Sequence, residues 1–237
     1  MPTNNKQKNS PRQIGIVKNI LSTALKLWLK SQVSNVSQLE VNINAKDRQI
    51  ISGCVPWVSV RAKDAVYKGI HITQIDLVAE NICINIGSVL KGKPLKLLET
   101  VPVNGELRME EEDLNMSASS PLFSNALNDI LVNVLPNHWS KSKSTSWQNI
   151  SIQNNKLVIL ATLDDRSEPQ SVEITLGLNL FGNHELKISP IRVINNTELL
   201  LNDEYGRLID LGTEVDIEQL TLRTGQLNCN GKVNVNP

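Results

Sequence analysis

Aromatic side chains are scarce: two Phe, two Tyr and four Trp make up 3% of the 237 residues. The core must therefore be aliphatic. Proteins that hold single-stranded nucleic acid stack bases on aromatic platforms, so the scarcity argues against that class. Cysteine is equally thin. Cys54, Cys83 and Cys229 lie far apart with no CxxC pair. An odd, sparse set argues against a disulfide framework and fits a reducing compartment. Each sits in an apolar, strand-like run and reads as a buried structural thiol.

Catalytic and metal-binding signatures are missing as well. His71, His138 and His184 have no partner at ligand spacing. HExxH, GxSxG, the P-loop and a GxGxxG after a strand are all absent. The acidic run Glu110–Asp113 reads as a helix start that complements the helix dipole, because neighbours on one turn diverge. Asp164, Asp165 and Glu168 read as a polar turn. The expectation is a protein without enzymatic activity, cofactor or metal.

No uninterrupted apolar run reaches 18 residues, so no transmembrane helix is expected. The stretch from Ile14 to Val33 is broken by Lys18, Lys26 and Lys30, and no small-residue cleavage site follows. A cleaved secretory signal is therefore not expected.

Net charge is zero, yet it is unevenly spread. Residues 1–63 carry ten Lys/Arg against Glu40 and Asp47, leaving that segment strongly basic and the remainder acidic. A basic front end fits an anionic membrane surface or nucleic acid, and it also fits a merely solubilising tail.

Periodicity organises the rest. Residues 1–12 read as a disordered basic arm and 13–33 as an amphipathic helix. A wide apolar arc on that helix serves either of two ends. It packs on the domain, or it lies in a bilayer interface, with Lys18, Lys26 and Lys30 reaching headgroups and Trp28 at the boundary. Residues 34–237 read as one β-rich domain. Alternation marks strands at 39–43, 50–60, 70–77, 82–86 and 95–103. Pro56 implies an edge or bulge. Two helices follow, over 110–118 and 120–135, the second opened by Ser120 and Pro121. About seven more strands complete the chain, with a hairpin turn at Asn154-Asn155. This is an α+β pattern with antiparallel pairing, and the second helix is the only good cover for a large curved sheet.

Gly69–Leu77 (GIHITQIDL), Ile84–Ile86 (INI), Val101–Met109 (VPVNGELRM), Glu112–Asn115 (EDLN) and Ser120–Leu122 (SPL) together resemble the LmeA-like phospholipid-binding family. Many of its members are cyanobacterial or actinobacterial. The likeness covers residues 30–235, with the quotable motifs in its first half. It implies a fold akin to tubular lipid-binding modules, in which a long curved antiparallel sheet wraps a central helix around an apolar groove. It also implies phospholipid or another acyl lipid as partner. Leu122, Phe123, Leu127 and Leu131 are the candidate groove floor, and ordinary core positions would look the same. The expectation is a cytoplasmic, peripherally membrane-associated lipid-binding protein. The competing reading is a structural or interaction domain with a closed core.

Overall fold

The computed structural model describes residues 11–134, 144–164 and 169–237, with the side chains at 11–15, 47–48, 131–134, 144 and 164 outside the described set. The expected arm is thus mostly outside it, as are His138, Asp165 and Glu168.

Alternation builds the first sheet. In chain order its strands are β1 (Gln38–Asn44), β2 (Cys54–Tyr67), β3 (Ile70–Cys83) and β4 (Val101–Glu110). Three helices accompany them: α1 (Pro11–Gln32), α2 (Asp47–Ser52) and α3 (Ile86–Val89). Along β4, Val101, Val103 and Met109 are buried while Pro102, Asn104, Glu106 and Glu110 are exposed. This strand runs well past the expected end at 103, because Gly105 interrupts an otherwise regular apolar face. Other expected bounds shift: 50–52 of the expected 50–60 strand belongs to α2 and the rest to β2, the 82–86 run ends β3 at Cys83 and enters α3 at Ile86, and 95–100 of the expected 95–103 strand lies outside β4. Pro56 lies beyond the last β1 partner, Trp57. Its missing N–H therefore costs no ladder bond.

The chain then forms α4 (Glu111–Ser117) and α5 (Pro121–Val134), followed by β5 (Ser144–Gln153), β6 (Lys156–Asp164), β7 (Gln170–Leu180), β8 (Glu185–Asn195), β9 (Glu198–Asp203) and β10 (Arg207–Asp210). These strands make a second antiparallel sheet in the order β10-β8-β7-β6-β5, with β9 on β8. The expected turn at Asn154-Asn155 joins β5 to β6, and Asn155 takes a φ of 61°. The final hairpin, β11 (Val215–Arg223) and β12 (Gln226–Val235), returns to the first sheet, whose order is β1-β2-β3-β4-β12-β11. The second sheet is thus inserted between two paired strands of the first.

Both sheets are open. The α1 helix covers one end of the first sheet through Leu21, which belongs to the same buried cluster as Ile43, Val58, Val60, Ile82, Val101 and Val103. The second core lies between the sheets, where Leu107, Met109, Leu222 and Leu227 face Ile150, Ile159, Ile174, Leu176 and Ile191. Backbone bonds tie the sheets at their turns, from Gly225 N–H to Ile152 O (2.9 Å) and from Asn155 N–H to Leu222 O (3.2 Å).

The cysteines depart from expectation. Cys54 is exposed, and Cys83 and Cys229 are half-buried. None is a fully buried thiol. Cys54 opens β2 beside the tight turn at Gly53, and Cys83 closes β3 where it leaves the sheet, so both lie at the sheet's margin.

Candidate functional site

The site is built around α5. Ser120, almost fully buried, accepts the Phe123 N–H on its hydroxyl at 3.2 Å and so caps the helix. Pro121 occupies the first helical position, where its missing N–H is harmless. The helix lies over the apolar face of the second sheet. Leu127 is buried there, and Phe123 and Ile130 pack against the same cluster. Leu122 is 54% exposed on the other side, and the side chain of Leu131 lies outside the described residues. Of the four expected floor residues, Phe123 and Leu127 therefore face the interior and Leu122 faces solvent.

Beneath α5 the lining comes from both layers: Leu127 and Ile130 above, and Trp147, Ile159, Ile174, Leu176, Ile191 and Val193 from the sheet. The void among them is about 10 Å³, enough for about one water and no acyl chain. The sheet residues escaped the sequence reading because lining and core positions share the same alternation. One of them stands apart. The Trp147 indole N–H is buried in this aliphatic setting without a hydrogen-bond acceptor among the described residues. An orphaned buried donor costs free energy that an incoming acceptor would recover.

The segment with the EDLN motif, Glu112–Asn115, lies in a joint between the sheets. Asn115 Nδ2 donates to Ile150 O and its Oδ1 accepts the Ile150 N–H, both at 2.8 Å. The carboxamide thus pairs with the open edge of β5 as another strand would. Glu111 accepts the Ile152 N–H at 2.7 Å one step further along that edge. Asp113 turns the other way and accepts from the Thr73 hydroxyl on β3. Glu111 and Asp113 of α4 therefore have separate partners. Among the described residues no cluster of three His, Cys, Asp or Glu side chains is placed to hold a metal.

The outer face of the first sheet is polar. Two open cavities of about 490 and 430 Å³ share Asp76, Glu106 and Asn230. Arg61 Nε donates to Asp76 Oδ1 at 2.5 Å, and Gln74 Nε2 donates to Asp76 Oδ2 at 2.6 Å. Burial pushes the Asp76 carboxyl up, but these two hydrogen bonds, together with the charges of Arg61 and Lys63, hold the group below its ordinary range. Arg108 and Arg223 balance Asp76 and Glu106 in the larger cavity, so it offers no excess of either charge.

On α1 the arc around Leu21 is core. Trp28 packs half-buried against that cluster. The opposite stripe remains outside: Ile16, Ile20 and Leu27 are 55%, 38% and 64% exposed, with Lys30 exposed and Lys26 half-exposed beside them. Lys18 is exposed nearer the core-facing flank. Among the described residues, no helix is long and apolar enough to cross a membrane.

Two open antiparallel sheets and an aliphatic interior closed by one amphipathic helix define a β-rich α+β protein. Its particular class follows from comparison. The chain belongs to the LmeA-like phospholipid-binding family, whose profile matches residues 13–232. No curated protein and no solved structure is matched.

Proposed function

We propose that the protein binds a phospholipid at an anionic membrane surface, admitting its acyl chains between α5 and the second sheet, and catalyses no reaction. The observation that carries this reading is Trp147. Its orphaned indole N–H sits in an otherwise aliphatic pocket, and the ester carbonyl of a glycerophospholipid is an acceptor that enters such a pocket together with its chain. Each methylene transferred from water contributes about 0.8 kcal/mol. The small void requires α5 to move outward before a chain enters. Its modest hold, with Leu127 its one buried apolar side chain among those described, supports that motion. Membrane docking is assigned to the outer stripe of α1, where Ile16, Ile20 and Leu27 meet the interface and Lys18, Lys26 and Lys30 face headgroups.

The closed-core interaction domain is the second reading, and the 10 Å³ void favours it. One experiment separates the two. Protein purified without detergent is mixed with phospholipid carrying brominated acyl chains, and Trp fluorescence is recorded. Lipid entry predicts quenching that is largely lost in Trp147→Phe, together with a lipid-sized mass increment by native mass spectrometry. Quenching unchanged by Trp147→Phe, with only apo protein in the spectrum, would sink the proposal.

A further inference from the structure

The two cysteines at the margin of the first sheet are cross-strand partners. Cys54 on β2 is directly opposite Cys83 on β3, although 29 residues separate them in sequence. Their Sγ atoms lie 3.0 Å apart as free thiols. The neighbouring pair is hydrogen-bonded, with Ile84 N–H donating to Gly53 O at 2.8 Å. Alternation along an antiparallel ladder therefore makes Cys54 and Cys83 a non-hydrogen-bonded pair, the closer of the two types at about 4.5 Å between Cα atoms. That separation lies within the range a disulfide spans, about 4.4–6.8 Å. We propose that Cys54 and Cys83 form a modification site, closing to an intramolecular disulfide by exchange with a small-molecule disulfide of the glutathione class or with a disulfide oxidoreductase.

The order of events follows from exposure. Cys54 is the exposed partner, so its thiolate attacks the incoming disulfide RSSR. A Cys54–SR bond forms and one RS⁻ leaves. Cys83, half-buried behind it, then attacks Cys54 Sγ and displaces the second RS⁻. Two protein thiols are oxidised, one RSSR is reduced to two RSH, and the two cysteine protons end on the leaving thiolates. The Cys83 thiol is pushed up to about 11, first by its hydrogen bond with Cys54, then by burial, then by the charges of Cys54 and Glu99. Capping Cys54 as the mixed disulfide removes both contributions of Cys54, so the first step clears the way for the second.

The bridge would fasten the end of the β2–β3 hairpin opposite its turn, where α2 precedes β2 and α3 follows β3. Cys229 serves as an internal control. It is half-buried, its thiol is raised by burial, and its cross-strand neighbours are Leu107 and Leu220. The inference is independent of the lipid reading.

The test uses the full chain, reduced, freed of reductant and exposed to oxidised glutathione. After unfolding and alkylation, one thiol should react in place of three, with the mass about 2 Da lower before alkylation. Peptide mapping should link residues 54 and 83, and the melting temperature should rise by roughly 5 °C or more. Cys229→Ser should still form the bridge, whereas Cys54→Ser and Cys83→Ser should not. Three alkylatable thiols, or a persistent glutathione adduct on Cys54 in the otherwise native chain, would overturn the proposal.

Discussion

Asn115 holds more of the structure than its polar side chain announces. Its carboxamide satisfies both the N–H and the C=O of Ile150, and replacing it by Ala leaves both groups orphaned at a partly buried edge. Asn115→Ala should cost about 2–4 kcal/mol in urea unfolding, whereas an exposed residue such as Asn125 should cost under about 0.5 kcal/mol on the same change. Gly177 is the second sensitive position. A Cβ there would meet Ser189 O at 2.1 Å, a backbone atom that cannot step aside. Gly177→Ala should destabilise by about 2–3 kcal/mol through overpacking, read by the same unfolding curve. The Glu-Glu-Asp run signalled a helix start, and α4 does begin there. Its wider role as a joint escaped notice because the partners, Thr73 on one side and Ile150 to Ile152 on the other, lie about 40 residues away in opposite directions along the chain.

Among the elements, α5 and α1 carry the proposed function. The α5 helix was readable from Ser120, Pro121 and the apolar spacing, and every described residue from Pro121 to Val134 is helical. Which of its apolar residues point inward was not readable, since Leu122, Phe123 and Leu127 are alike in hydropathy and only the position of the sheet chooses among them. Leu127→Ala should cost about 2–4 kcal/mol. If α5 moves to admit lipid, the variant should also raise hydrogen exchange in α5 more than in β6 or β7. For α1, Leu21 faces the sheet, and Ile16, Ile20 and Leu27 face outward. Changing Lys18, Lys26 and Lys30 together to Glu should weaken binding to anionic vesicles at least about tenfold while leaving the fold intact. Unchanged vesicle affinity in the folded variant removes α1 as the docking element.

At the scale of the molecule, the β11–β12 hairpin decides whether two sheets behave as one body. It completes the first sheet beside β4 and presents Leu222 and Leu227 to the core of the second. A chain ending at residue 212 should lose the cooperative unfolding transition and bind a hydrophobic dye, while the full chain should unfold with coincident circular dichroism and Trp fluorescence transitions. The sequence alone determined what short-range chemistry controls. Alternation at spacing two made strands, Ser120-Pro121 started a helix, Asn154-Asn155 turned a hairpin, and an aromatic-poor aliphatic inventory pointed to an apolar interior. Only the tertiary structure decided which strand pairs with which. The β4–β12 register joins Val101 to Val235, and no local pattern encodes a partner that far along the chain. The register of the β2–β3 hairpin likewise brings Cys54 against Cys83, and the packing of the helices on the sheets sets Asn115 on the edge of β5 and Trp147 beneath α5. Each is a meeting of side chains whose own neighbourhoods carry no mark of it, because strand pairing and register are settled by the burial of whole faces rather than by any single residue.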